Sequence, residues 1–491
     1  MRIALPVLLA VLCSSCSAPR QAETLLDEIR LDVSRTEIRT AEQKLKRWEA
    51  LKVSDSLELW KAAQIKAEIA LVRLDGENAL KLSGEFVPPA LSNSFWAVRN
   101  PLIRESALAL QQKLSQGAGL LEAAASLASR AGDSSLLAQV EQRRGYRAVL
   151  EQKPQEAREH FRRALSLAGT DPVRERVLAN LGVVEASSGR WSEAVGHFEA
   201  SLSRGKGVIA SKAMGNLGWC YRSLGDLDNA EQRLRAAVKS ASEEGLVADQ
   251  QTWLLNLGTL EFQRGRMTEA EAYYKQGLAV ASPRESAALY NNLALTSLER
   301  QELDAAEGYL AKASELKRTS ASPTSLLWDR LTRARIMAAR GNDAVAASQL
   351  LSLIADSKNV PEFQWEAHAA LGSLYSRQSR FDSAEVAYRK AIEAMVEARE
   401  KLDLGEHRLS FASSQSGLFN SYVDLLMLTG QHERALVIAD YSRTRSLNDK
   451  YGDVQIPPAP EIKVFQRKRS GTPVLVYWIR ETKSWLWCVN A

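Results

Sequence analysis

The chain has 491 residues, too many for one hydrophobic core, so several domains or a repeat architecture is expected. Charged residues make up 25% and aromatic residues 7%, an ordinary composition with an Ala/Leu/Glu/Arg-rich helical bias. A formal charge of +5 over this length does not suggest a nucleic-acid binder, which would concentrate Lys and Arg on one face, and four cysteines, two within the first sixteen residues, exclude a disulfide framework.

The opening stretch MRIALPVLLAVLCSSCSAPRQ has one positive charge at Arg2, an apolar run from Ile3 to Leu12, then small residues. That is a secretory signal, too short to span a bilayer. Ser14-Ser15 before Cys16 resembles a bacterial lipobox, in which residues 1–15 are removed and Cys16 is lipidated as the first mature residue. Cys13 departs from the pattern, standing where such signals carry Leu, Val or Ile. The alternative is an ordinary cleaved signal with incidental cysteines. With the lipobox, the expectation is an exported bacterial lipoprotein on the cell membrane, facing the periplasm or exterior, because two or more acyl chains anchor stably where one does not. No later apolar segment reaches about 18 residues, so nothing else is expected to span a membrane.

Residues 22–140 carry degenerate helical pairs, for example around Ala67 and Ala79, and residues 141–317 repeat clearly. Asn180-Leu181-Gly182 recurs as Asn216-Leu217-Gly218, Asn256-Leu257-Gly258 and Asn292-Leu293-Ala294. Behind each triplet stand Gly189, Gly225 and Gly265 (Gln301 in the fourth copy), then Ala194, Ala230, Ala270 and Ala306, then Phe198, Leu234, Tyr274 and Leu310. A small residue on a first helix and an Ala on a second let two antiparallel helices approach closely. The Gly suits a left-handed turn between them, and the large residue packs inward. The spacing predicts an all-α solenoid of helical hairpins.

GNLGWCYRSLGDLDNAEQRLRAAV, from Gly215 to Val238, is similar to the tetratricopeptide repeat (TPR) motif almost throughout. Weaker copies centre on Gly145, Ala157 and Phe161, on Ala334, Gly341 and Ala346, on Gly372, Ala384 and Tyr388, and on Gly430 and Ala435. The resemblance implies a concave face, lined by the first helices, that holds a protein or peptide. In some families with these repeats, asparagines at this position form a ladder along the ligand backbone. Asn180, Asn216, Asn256 and Asn292 are the matching amides; capping neighbouring loops or facing water is the alternative. Trp219, Trp253, Tyr221 and Cys220 read as core. The five histidines show no metal-ligand spacing, and Gly205-Lys206 is no phosphate loop, so no metal or cofactor is expected.

Residues 318–450 continue the repeats with longer helices, residues 454–463 form a Pro-rich linker, and residues 464–491 end in PVLVYWIRETKSWLWCVNA. Val, Tyr and Trp crowd its two halves, which predicts a β-hairpin. This order resembles repeats running into a CHAT domain, a caspase-like peptidase fold, of which residues 464–491 would be only the opening strands. The resemblance implies a His and a Cys on later strands. No His follows His432, and Cys488 lies in the hairpin itself, so the chain is expected to be non-catalytic. The expectation is an exported, membrane-tethered interaction scaffold. The alternative is the regulatory part of a TPR–CHAT cysteine peptidase whose catalytic region is missing. An isolated hairpin is marginal in water, so its apolar face must pack on the last helices, pair with another chain, or stay disordered. A cytoplasmic regulator, the third class, is disfavoured by the export signal.

Overall fold

The computed structural model describes residues 5–169, 172–280, 286–317, 323–357, 361–400, 416–451, 474–478 and 484–489; the Pro-rich linker at 454–463 lies outside them. Among the described residues are twenty-two α-helices, one 3₁₀ turn and one two-stranded sheet, the all-α solenoid that the repeat spacing predicts. No helix there is long and apolar enough to cross a membrane. The chain divides into two compact units. The first comprises residues 1–188, 193–218 and 233–250, the second residues 189–192, 219–232 and 251–491.

The helices of the first unit follow the apolar periodicity. In α1 (Leu5–Ser34) and α2 (Ile38–Ala50), Ala22, Leu26, Ile29 and Val33 face Ile38, Ala41, Leu45 and Trp48, all buried and all three or four residues apart. The Trp48 indole N–H donates to the Ala22 carbonyl at 3.1 Å. α3 (Ser56–Val72), α5 (Phe95–Leu110), α7 (Ser134–Leu150), α9 (Pro172–Ser187) and α11 (Gly207–Ser223) are the first helices of successive hairpins; α4 (Gly76–Ser83), α6 (Leu114–Ala131), α8 (Pro154–Leu167), α10 (Trp191–Leu202) and α12 (Leu227–Glu244) are the second. Asp55, Asp75 and Asp133 each cap a helix by accepting backbone N–H bonds.

In the second unit the series continues through α13 (Val247–Gln263), α14 (Met267–Val280), α15 (Ala287–Glu299), α16 (Leu303–Lys317), α17 (Pro323–Ala339), α18 (Asp343–Asp356), α19 (Pro361–Arg377), α20 (Phe381–Glu400), α21 (Ser416–Leu428) and α22 (His432–Tyr451). Neighbouring hairpins are clasped by ion pairs at repeat spacing. Arg264 meets Asp228 at 2.6 Å and Glu231 at 2.5 Å, and Arg340 meets Asp304 at 2.6 Å and Glu307 at 2.9 Å.

Two details of the repeat carry its geometry. The turn glycines Gly189, Gly225 and Gly265 are left-handed, with φ of 74°, 81° and 77°; Gln301 takes the same conformation (φ 61°) without glycine's freedom. The small residue of each first helix faces the large residue of its own second helix. A methyl group on Gly145, Gly182, Gly218 or Gly372 would stand within 3.0 Å of Phe161, Phe198, Leu234 or Tyr388. The close approach is therefore a flat backbone receiving a bulky side chain, more specific than the general small-residue contact that the spacing suggested.

The hairpin is β1 (Val474–Trp478) paired antiparallel with β2 (Trp485–Val489), Val476 opposite Trp487 and Trp478 opposite Trp485. Of the three fates open to it, packing on the last helices is the one observed. Trp478 and Trp487 are buried in one cluster with Phe419, Tyr422, Leu426, Leu436 and Ala439, while Tyr477, Leu486 and Cys488 face outward. Trp485 Nε1 donates to Asp424 Oδ1 and Trp487 Nε1 to the His432 carbonyl, each at 3.1 Å.

Candidate functional site

The first unit encloses a cavity of about 540 Å³ walled by its first helices. Leu74, Leu110, Leu150 and Tyr146 give it exposed apolar surface, and Arg99, Arg143, Arg176, Lys212 and Asn180 also line it. The cations are held in place by neighbours. Arg99 Nε meets Glu68 at 2.5 Å, Arg143 pairs with buried Glu105, and Lys212 lies 3.6 Å from Asp249. The Arg143 guanidinium also sits 4.8 Å from the centre of the Tyr146 ring. Burial pushes the Asp249 carboxyl above its ordinary value, and the Lys212 ammonium opposes that rise.

A latch closes this unit on itself. Val208 N–H donates to the Thr36 carbonyl at 3.1 Å, and the Thr36 hydroxyl donates to the Lys206 carbonyl at 3.2 Å. Arg39 Nη1 reaches the Glu243 carbonyl at 2.7 Å, and Arg73 Nη1 reaches the Glu244 and Gly245 carbonyls at 2.7 and 2.8 Å. Gly207 is left-handed (φ 51°) and leaves no room for a side chain under the Thr36 carbonyl.

All four candidate asparagines lie half-buried on first helices. Asn180 and Asn216 belong to the first unit, and Asn180 lines the cavity. Asn256 and Asn292 belong to the second and have partners inside the chain. Asn256 Oδ1 accepts from Arg222 Nε at 3.2 Å, and its Nδ2 donates to the Thr252 carbonyl at 2.9 Å. Asn292 Nδ2 donates to Thr259 Oγ1 at 3.3 Å, which the Tyr274 hydroxyl also approaches at 3.4 Å. Arg143 stands 37 residues before Asn180, as Gly145 stands before Gly182, so it occupies the equivalent position in the preceding hairpin. That signal was in the sequence, as was the equivalence of Arg176 and Lys212, each four residues before Asn180 and Asn216.

The second unit holds a larger cavity of about 620 Å³ lined by Trp365, Arg335, Glu366, Arg377, Tyr388 and Ser421 among others. Two of its cations are paired: Arg335 meets Glu366 at 2.6 Å and Arg377 lies 3.7 Å from Asp343. Cys220 is fully buried and desolvation pushes its thiol up to about 12, so it is inert core, as its place in a repeat helix predicts. Trp253 and Tyr221 are likewise buried, and Trp219 meets Trp191 edge to face at 5.2 Å. In the first unit Glu185, Glu193 and His197 bring ligand atoms within 4.8 Å of one another, but both Glu185 oxygens already receive Arg158 at 2.9 and 3.2 Å. A cation there would have to sit against that guanidinium. The Cys16 side chain lies outside the described residues.

Repeated helical hairpins, left-handed turns and first helices lining a cavity in each unit define a TPR-type α-solenoid. The MalT-like TPR region family matches residues 138–387, half of the chain, and the chain belongs to it. Among solved structures, a tetratricopeptide repeat protein from Parabacteroides merdae is 18% identical with a TM-score of 0.41, covering 54% of this chain and 98% of its own. A Rap protein complexed with Competence and Sporulation Factor is 13% identical with a TM-score of 0.48, covering 78% and 99%. Aspartyl phosphate phosphatase F from Bacillus subtilis is 12% identical with a TM-score of 0.47, covering 70% and 95%. At such identities the likeness is one of fold alone. No curated protein matches the chain.

Proposed function

We propose that this chain is an exported, lipid-tethered repeat scaffold that binds a protein or peptide partner on its first-helix faces and carries out no chemistry of its own. The observation that carries the binding reading is the first unit's cavity, lined both by leucines and Tyr146 and by Arg143, Arg176, Lys212 and Asn180. An extended peptide offers both apolar side chains and backbone donors and acceptors to such a wall. The tether reading rests on the apolar run before Ser14-Ser15-Cys16. Capture of a partner from solubilised membranes, compared between the full chain and an Asn180→Ala/Asn216→Ala variant, tests the binding: equal capture by both removes the amides from the site. Metabolic labelling with palmitate tests the tether. Label that persists in Cys16→Ala, or full-length protein recovered from the cytosol, refutes it.

One observation favours a second reading, the regulatory part of a TPR–CHAT peptidase. Trp478 and Trp487 seat the hairpin on α21 and α22, so a sheet built outward from those strands would be coupled to the repeats. A reading frame continuing beyond Ala491 with a His and a Cys on later strands supports it, and a stop codon there removes it.

A further inference from the structure

We infer that the peptide held in the first unit's cavity is a polyproline-II segment with an apolar side chain at every third residue, which deepens the binding reading above and rests on it. Each hairpin from α3–α4 to α15–α16 turns on a left-handed residue: Leu74, Gln112, Gln152, Gly189, Gly225, Gly265 and Gln301. Two positions before these stand, in order, Val72, Leu110, Leu150, Ser187, Ser223, Gln263 and Glu299. The last four show that the hairpin forms with a polar residue there. The fold does not ask for a hydrocarbon at this position, yet Leu110 and Leu150 are 38% and 41% exposed and line the cavity together with half-buried Val72. Leu74, 52% exposed, adds to the same lining. Apolar side chains left in water where Ser or Gln would serve the fold mark a contact surface.

The step between these side chains specifies the ligand. First helices pack in turn, α3 on α5 and α5 on α7, so residues at one repeat position stand about one interhelix distance apart, roughly 8–10 Å. A polyproline-II chain has three residues per turn and advances about 9.3 Å, so its residues i, i+3 and i+6 share one face and meet Val72, Leu110 and Leu150 in order. A β-strand returns to the same face every ~6.8 Å and is out of step by the second helix. The polyproline-II backbone makes no hydrogen bonds of its own, and Gln112, Gln142 and Asn180 bring amides to the same cavity. Charge selects as well: the lining holds four cations and one carboxylate, Glu68, which suits a segment without basic residues.

The test uses the full chain, its Leu110→Gln/Leu150→Gln variant, and an array of blocked 12-residue peptides without Lys or Arg. Each peptide with leucine at every third position, and Pro, Gln or Ser between, is paired with a copy whose same residues are rearranged to put leucine at every second position. Wild type should prefer the every-third member of its best pairs about tenfold or more, the loss expected when one leucine stays in water. The double variant should lose that preference while melting no lower than wild type, since Gln263 holds the same position in its own hairpin. Pairs bound equally, pairs in which the every-second member wins, or a preference that survives the double variant overturn the inference alone. A melting temperature lowered by the double variant assigns the leucines to the fold and also overturns it. An array with no bound peptide overturns both this inference and the peptide-binding reading.

Discussion

The same substitution should have opposite signs at two glycines of one helical hairpin. Gly182 lies in α9, and a methyl group there would stand 2.7 Å from two ring carbons of Phe198, which is fully buried. Gly196 lies in α10 with nothing within 4 Å. Replacing Gly by Ala in a helix interior stabilises by about 1 kcal/mol through the unfolded chain's entropy and helix propensity. Gly196→Ala should show that gain in full. At Gly182 overpacking against a rigid ring costs about 1–3 kcal/mol, more than that gain, so Gly182→Ala should destabilise by up to about 2 kcal/mol net. The fourth repeat supplies the repair, since Ala294 and Leu310 occupy the positions of Gly182 and Phe198. Gly182→Ala/Phe198→Leu should therefore be more stable than its single changes sum to, with a coupling of about 1 kcal/mol or more. Urea unfolding followed by far-UV circular dichroism measures all four variants. Equal shifts of the same sign for Gly182→Ala and Gly196→Ala would refute the ring-on-backbone account of the repeat.

Gln301→Gly places glycine where the backbone is already left-handed and should raise stability by up to about 1–2 kcal/mol, read by the same unfolding curves. Gly207→Ala adds a side chain to a left-handed residue under the Thr36 carbonyl; faster amide exchange at Val208 and Ile209 is expected, and unchanged exchange would show that the latch tolerates it. Trp487→Ala empties a buried indole site at α21–α22 and should cost about 3–5 kcal/mol locally, seen as faster amide exchange in β2 than in wild type. The Arg434 guanidinium, 2.5 Å from Glu385, holds that carboxyl below the ordinary glutamate value against the opposing effect of burial. Its stabilisation is present at neutral pH and is lost as pH falls from the ordinary glutamate value through the lowered one. Glu385→Gln should flatten that acid limb and cost less than about 1 kcal/mol at pH 7, because the pair is partly exposed.

The hairpins between Gly145 and Tyr388 were legible because each uses residues with a single physical role. Glycine is the cheapest left-handed turn residue, and one small position must face one bulky position for the helices to touch. Gln301 shows where the signal weakens: its turn forms without glycine because hairpins on either side hold it. The hairpin strands were legible from Val and Trp density, but not their seat, since nothing in VLVYW names Phe419 or Tyr422 as its neighbours. The latch was illegible for a similar reason. Thr36 and Gly207 are unremarkable residues 171 positions apart, and only the accumulated rotation of four hairpins brings them together. The candidate asparagines were located on the correct helices, yet the Arg222–Asn256 bond depends on side-chain reach between repeats, which spacing does not encode.

A linear stack of repeats ordinarily has two loose termini from which it can unravel one hairpin at a time. The bond from Val208 to Thr36 and those from Arg39 and Arg73 to the end of α12 remove one of those termini from the first unit. Its early hairpins, the ones with the faintest sequence signature, are thereby held by partners much later in the chain. Their melting should then track that of α11 and α12, as a hoop loses its tension everywhere when cut at one point.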